Sequence, residues 1–128
     1  MKEYIYKGLL VLLSIFAPIK ALLISCGVLI VADMITGMMA AKKRKESIQS
    51  AEMRRSVSKM VVYQIAIMSA YVLESYMLDG LLPVSKIVAG VIGMVEFKSI
   101  LENTSVIAGQ DILKLVLEKL GSKNAKVK

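Results

Sequence analysis

Apolar residues in this chain run in long unbroken blocks instead of alternating or recurring on one helical face. The block that organises the rest is Ala21 to Ala41, ALLISCGVLIVADMITGMMAA, 21 residues with one ionisable group, Asp33. At about 1.5 Å per residue a helix of that length reaches roughly 30 Å, the depth of a bilayer's hydrocarbon. No soluble helix of this size needs to be so apolar on every side. The block predicts a transmembrane helix, ended by Lys42-Lys43-Arg44-Lys45 as a headgroup layer would favour.

The remaining blocks follow in order. Gly8 to Ile19 is apolar but short for a full span, and Pro18 favours a break near Ala17. Residues 1–20 are therefore expected to form a short apolar helix, either a fourth span or an interfacial one. Residues 42–59 are polar and strongly basic. Met60 to Leu78 predicts a second span, and Asp79-Gly80 a tight turn after it. Residues 81–101 predict the third full-length span, with Pro83 in its first turn. Over 104–121 the recurrence of Ile112, Leu113, Val116, Leu117 and Leu120 predicts an amphipathic helix, closed by Gly121 as its C-cap. A basic tail, 122–128, ends the chain. The fold class expected is an all-α integral membrane protein forming a single membrane domain.

Composition sharpens this picture. Hydrophobic residues make up 56% of 128, and the mean hydropathy is +0.65, too apolar for a soluble domain. The net charge of +7 is bunched beside the apolar blocks. Lys42, Lys43, Arg44, Lys45, Arg54, Arg55 and Lys59 oppose only Glu46 and Glu52, and are expected to face anionic lipid headgroups. The same charges place the 42–59 loop and the C-terminus in the cytoplasm. A nucleic-acid partner is not expected, since no basic surface interleaved with aromatics is visible. Histidine is absent and Cys26 is the single cysteine, so the usual general base and the cysteine metal sites are missing. Neither an enzyme nor a cofactor is expected. A cleavable signal peptide is not expected either, because no Ala-x-Ala site follows the first apolar run.

Charged groups inside the spans are the candidate functional residues. An ionised side chain at mid-depth costs about 2.5–3.5 kcal/mol, while Leu or Ile returns only about 0.3–0.6 kcal/mol. Such groups must be paired, neutral, near an interface, or wetted inside an assembly. Helical spacing puts Asp33, Thr36, Gly37 and Ala40 on one face. Lys59, Tyr63, Ala66, Ala70 and Glu74 share another, and Lys86, Gly90, Gly93, Glu96 and Asn103 a third. Each span thus carries one strip suited to another helix, and Gly90 and Gly93 offer close backbone approach. Asp33 lies too far from the cytoplasmic end to snorkel. Glu74 sits close to the outer turn, and Glu96 and Lys98 close to the cytoplasmic exit. These strips are read as oligomer or pore faces.

The stretch Val31-Ala32-Asp33-Met34-Ile35-Thr36-Gly37, followed by Ala40-Ala41-Lys42-Lys43, resembles the Asp-x-x-Thr-Gly…Ala-x-Lys signature of a broad phage holin family that includes the clostridial toxin-secretion holins. Ser56-Val57-Ser58-Lys59 leading into a tyrosine-bearing span continues the resemblance. Gly93-Met94-Val95-Glu96-Phe97-Lys98-Ser99-Ile100-Leu101-Glu102-Asn103 is similar to the family's Gly, Asn-Glu and Ser-Ile-Leu-Glu-Asn run, with Val95 in place of the Asn. Gln110-Asp111 stands where the family often has a proline-rich link. The resemblance implies a protein that accumulates and oligomerises in the host cytoplasmic membrane. It would open lesions there that release an endolysin, with no direct contact required. Two other classes remain open: a small ion- or proton-coupled transporter, and a non-lytic antiholin or structural subunit. The acid-free first apolar segment and the absence of tryptophan speak against the transporter.

Overall fold

The computed structural model describes residues 1–48 and 50–125. Gln49 in the basic loop, and Lys126 and Lys128 of the expected tail, lie outside the described residues. Helices α1 (Lys2–Phe16), α2 (Lys20–Lys43), α3 (Ser50–Val72), α4 (Val84–Ala108) and α5 (Ile112–Ala125) account for most of the chain. No strand occurs among the described residues.

Two helical stretches are long and apolar enough to cross a membrane, Lys2–Lys43 and Ser50–Met77. Only 11% of the apolar window in each is buried, whereas the core helix of a soluble protein would be mostly buried. The expected break falls where Pro18 puts it. Residues Ala17–Ile19 form one 3-10 turn between α1 and α2, with Phe16 and Ile19 both drawn toward the bridge region. Helix α1 buries none of its side chains. It touches the rest through Phe16, whose ring lies 6.2 Å from that of Tyr71 at a tilted angle. Apolar grooves of about 510 and 610 Å³ separate its two sides from α3.

Helices α2, α3 and α4 form an up-down-up bundle. Short links force neighbours to run antiparallel, which brings α2 and α4 side by side in parallel. The positions turned inward alternate in steps of three and four. They are Leu23, Cys26, Ile30, Asp33, Gly37 and Ala40 on α2, then Met60, Tyr63, Ile67 and Ala70 on α3. On α4 they are Ser85, Ala89, Ile92, Glu96, Ser99 and Asn103. Most of the fully buried side chains are small: Cys26, Ala40, Ala41, Ala70, Ser85 and Ala89, with Ile19, Ile30 and Ile67 between them. Small residues let backbones approach closely where lipid offers no hydrophobic drive. The large apolar residues point the other way. Ile24, Val28, Ile35, Val61, Ile65, Ile87, Val91 and Met94 are all exposed. Apolar outside and polar within is the reverse of a soluble bundle.

Several boundaries differ from the sequence reading. Helix α4 does not stop near Leu101 but runs on to Ala108, where Gly109 adopts a left-handed conformation at φ 68° and closes it. The amphipathic helix therefore begins at Ile112, and Gly121 lies inside it instead of capping it. Asp111 starts it, its Oδ1 accepting from the Lys114 backbone N–H at 2.9 Å. Ile112, Leu113 and Val116 are half-buried, while Leu117 and Leu120 remain exposed. The basic stretch is mostly helical, since α2 continues to Lys43 and α3 starts at Ser50. Asp79 and Gly80 both take positive φ, 46° and 73°, at the turn expected there.

The drift of the third strip also has a geometric cause. Gly90 and Glu96 are six residues apart, which places them about 120° apart around a helix of 3.6 residues per turn. Lys86 and Gly90 accordingly face outward, and a Cβ on Gly90 would meet nothing within 4 Å. On Gly93 it would meet Leu29 at 3.5 Å. Replacing Gly90 by Ala is expected to leave the thermal midpoint of the detergent-solubilised protein unchanged or slightly higher. Ala89→Leu, which overfills the seam beside Cys26 and Ile67, is expected to cost about 1–3 kcal/mol, seen as a lower midpoint in the same melt.

Candidate functional site

The centre of the bundle holds three charged side chains, one from each helix. Lys59 on α3 extends its ammonium between two carboxylates. It donates to Asp33 Oδ2 on α2 at 2.9 Å and to Glu96 Oε2 on α4 at 2.7 Å. Glu96 is 1% exposed, and the side chains of Asp33 and Lys59 are 13% and 21% exposed. Glu96 is the middle residue of α4, twelve residues from either end, so it lies roughly 18 Å from both. The helix runs seven residues past Leu101, so Glu96 sits at its middle instead of close to its end. Charge-assisted bonds of this length are the strong kind, and a low dielectric strengthens them further.

Polar neighbours complete the arrangement. Asn103 Nδ2 donates to Asp33 Oδ1 at 3.1 Å and to Thr36 Oγ1 at 3.2 Å. Thr36 Oγ1 donates to the carbonyl of Ala32 at 2.9 Å, one turn back on its own helix. Gly37 lies against Asn103, and a Cβ there would stand 3.6 Å from Asn103 Nδ2, an ordinary van der Waals contact. A polar cavity of about 300 Å³ leads from the basic end of the bundle to this cluster. Asp33, Lys59, Tyr63, Glu96, Ser99 and Asn103 lie along its depth, and Arg44, Glu52 and Arg55 at its mouth. Deeper still, Gln64 Nε2 donates to the Leu23 carbonyl at 2.9 Å, while its Oε1 is buried without a partner.

Of the residues singled out in the sequence, the structure thus brings together Asp33, Thr36, Gly37, Glu96 and Asn103. Lys59 joins them and leaves the headgroup-facing group. Its position heads the inward strip of α3, so the spacing rule that grouped it with Tyr63 and Ala70 outweighs its membership of a basic run. Lys42, Lys43, Arg44, Lys45, Arg54 and Arg55 stay exposed at the basic end. Within that group Lys43 Nζ donates to the Ile107 carbonyl at 2.5 Å, and Arg44 pairs with Glu46 at 3.0 Å. Lys98 points outward and pairs with Glu102 at 3.4 Å. Lys86 and Gly90 are exposed and separate from the cluster, and Gly93 packs against Leu29.

Glu74 has a different task. The π-helical turn Leu73–Met77 widens the end of α3. It sends the Glu74 carboxylate across to α4, where it accepts from the Ser85 backbone N–H at 2.8 Å and from Ser85 Oγ at 2.5 Å. A carboxylate at a helix N-terminus satisfies orphan donors and faces the positive end of the dipole. Lys43 does the converse at the other end of α4, on a last-turn carbonyl. Sequence spacing gave no sign of either pairing, because each joins side chain and partner across different helical elements.

A family model described as the bacteriophage holin family matches residues 10–122 of this chain. No curated protein and no solved structure matches it.

Removing the shared ammonium leaves two carboxylates facing each other in the interior. Lys59→Met is therefore expected to destabilise the bundle by about 3–5 kcal/mol. Neutralising all three positions together, Asp33→Asn, Lys59→Met and Glu96→Gln, is expected to restore most of that loss. Denaturant titration in mixed micelles, followed by circular dichroism, measures both.

Proposed function

The chain belongs to the bacteriophage holin family, which is not a family of enzymes, and we propose that it is the lysis holin itself. It accumulates in the host cytoplasmic membrane, assembles with its own copies, and opens lesions through which an endolysin reaches the cell wall. The single observation that carries this reading, beside family membership, is the inverted bundle. Its surface is largely apolar on α2, α3 and α4, and one charge from each of these helices meets in a buried central cluster.

In this reading α2, α3 and α4 all cross the membrane, α4 despite Lys86, Glu96 and Lys98, because Glu96 is paired and Lys98 is matched by Glu102. The basic end, with Lys42 to Lys45, Arg54, Arg55 and helix α5, faces the cytoplasm and its anionic headgroups. The hairpin at Asp79-Gly80 faces out. Helix α1 lies at the outer surface or tilts into the bilayer.

In the closed protomer Asp33, Lys59 and Glu96 find their partners within one chain. A lesion needs the opposite: polar strips turned toward a shared, hydrated lumen. Opening the bundle at the Asp33–Lys59–Glu96 cluster exposes those strips on three helices at once. Water then solvates groups whose burial is otherwise offset only by one another. Accumulation raises the chance that an opened protomer meets another before it recloses.

Inducible expression in a bacterium, with and without a cytosolic endolysin, checks the proposal. Expression alone is expected to depolarise cells abruptly after a delay, and culture clearing to require the endolysin. Asp33→Asn and Glu96→Gln are expected to shift the time of onset. Cells that stay polarised while the protein fills their membrane would reassign it to the non-lytic class, and solute efflux from vesicles to the transporters.

A further inference from the structure

Two acids share one base at the middle of the bundle. With all three ionised the cluster carries one uncompensated negative charge, held at mid-helix with Glu96 almost wholly out of solvent. Both carboxylates reach the same ammonium, so they are immediate neighbours. The cavity of about 300 Å³ joins them to the basic end, so protons have a route that does not cross hydrocarbon. Other charged groups line that route: Arg44 from α2, and Glu52 and Arg55 from α3, all at the mouth. On α4 only Glu96 among the cavity's lining residues is charged, and Tyr63 on α3 completes the titratable set.

We propose that the Asp33–Lys59–Glu96 cluster is a proton-operated latch on α3. One proton from the cytoplasmic side adds to a carboxylate oxygen of the acid pair. The resulting acid donates that proton to the other carboxylate, which forms a direct α2–α4 hydrogen bond. Lys59 then faces one negative charge in place of two, and its bond to the neutral acid is about half as strong as before. No bond breaks other than hydrogen bonds, and the net charge of the cluster falls from one negative to zero. The proton takes the place of the ammonium as the bridge between α2 and α4. Lys59 withdraws along the cavity toward Ser56, and α3 loses its hold on the other two helices. The parallel α2–α4 pair stays together, while α3 is the helix that leaves.

The latch rests on the membrane-spanning reading above and adds a control to it. Cys26 supplies a reporter that needs no engineering. It is the chain's single cysteine, and it is buried between α2 and α4 with Ile67 of α3 packed in the same cluster. Departure of α3 uncovers it.

The test uses the full chain in nanodiscs of phosphatidylethanolamine and phosphatidylglycerol. The probe is 4,4′-dithiodipyridine, which enters lipid and reacts with thiols across a wide pH range. With every rate taken relative to that of glutathione at the same pH, because the thiolate is the nucleophile, reaction with Cys26 is expected to accelerate about tenfold or more between pH 8 and pH 5, tracking the population of the open form. Glu96→Gln, which keeps one ammonium against one carboxylate and so still folds, is expected to react fast at both pH values. Glu96→Asp, which keeps the second charge, is expected to retain the pH dependence. A wild-type rate that stays flat over this range overturns the latch, as does a Glu96→Gln rate equal to the wild-type rate at pH 8. Because the readout is thiol access in isolated protein, its failure leaves lysis by the wild type untouched. Failure of lysis in cells likewise leaves the pH response to be read on its own.

Discussion

A charge withdrawn from water must find its counter-charge inside the protein, and most of this bundle follows from that one demand. Asp33, Lys59 and Glu96 meet at 2.9 and 2.7 Å. For them to meet, α2, α3 and α4 must hold a fixed rotation and a fixed register. A shift of one helix by a turn would strand a buried ion without its partner. Apolar packing alone is permissive about such shifts, because one Val or Ile against lipid resembles another. The ionic cluster therefore gives specificity that the small-residue seam does not, a role best attested for buried polar groups that fix register.

Around that cluster the design is economical. The seam of Ala, Ser and Cys brings three backbones close, and the large apolar side chains are left for the surroundings. Helix α4 is held at both ends by side chains of other helices, Glu74 on its first turn and Lys43 on its last. Both contacts match the sign of the helix dipole at that end. The centre of α4 is held by Lys59. Three tethers, evenly spread along one helix, hold α4, the longest of the five.

Much of this was legible in the sequence, and the reason is periodicity. Blocks of apolar residues gave the helices, and Pro18, Asp79 and Gly80 gave the breaks, because those residues act on their own backbone. The strip Asp33, Thr36 and Gly37 was visible for the same reason, since its spacing is local to one helix. What stayed hidden depends on partners distant in the chain. Lys59 stands in a run of seven basic residues, and composition alone assigns it to headgroups. Spacing put it on the strip of Tyr63 and Ala70 as well, and the packing of α3 against α2 and α4 turns that strip inward. The grouping of Gly90 with Glu96 failed through accumulated rotation, each step of three lagging the helical turn. The end of α4 was set too early because Glu102 and Asn103 read as an exit, when one faces out to Lys98 and the other in to Asp33.

Helix α1 stands apart from this logic. It buries no side chain, joins α2 through a single distorted turn, and leaves apolar grooves on both of its flanks. No ionic partner and no interlocking seam dictates its angle. In a bilayer, the thickness of the surrounding acyl chains sets that angle instead. Thin and thick membranes will therefore present the same three-helix body with differently inclined N-terminal arms. That leaves the arm free to vary in length and sequence while the body keeps its shape.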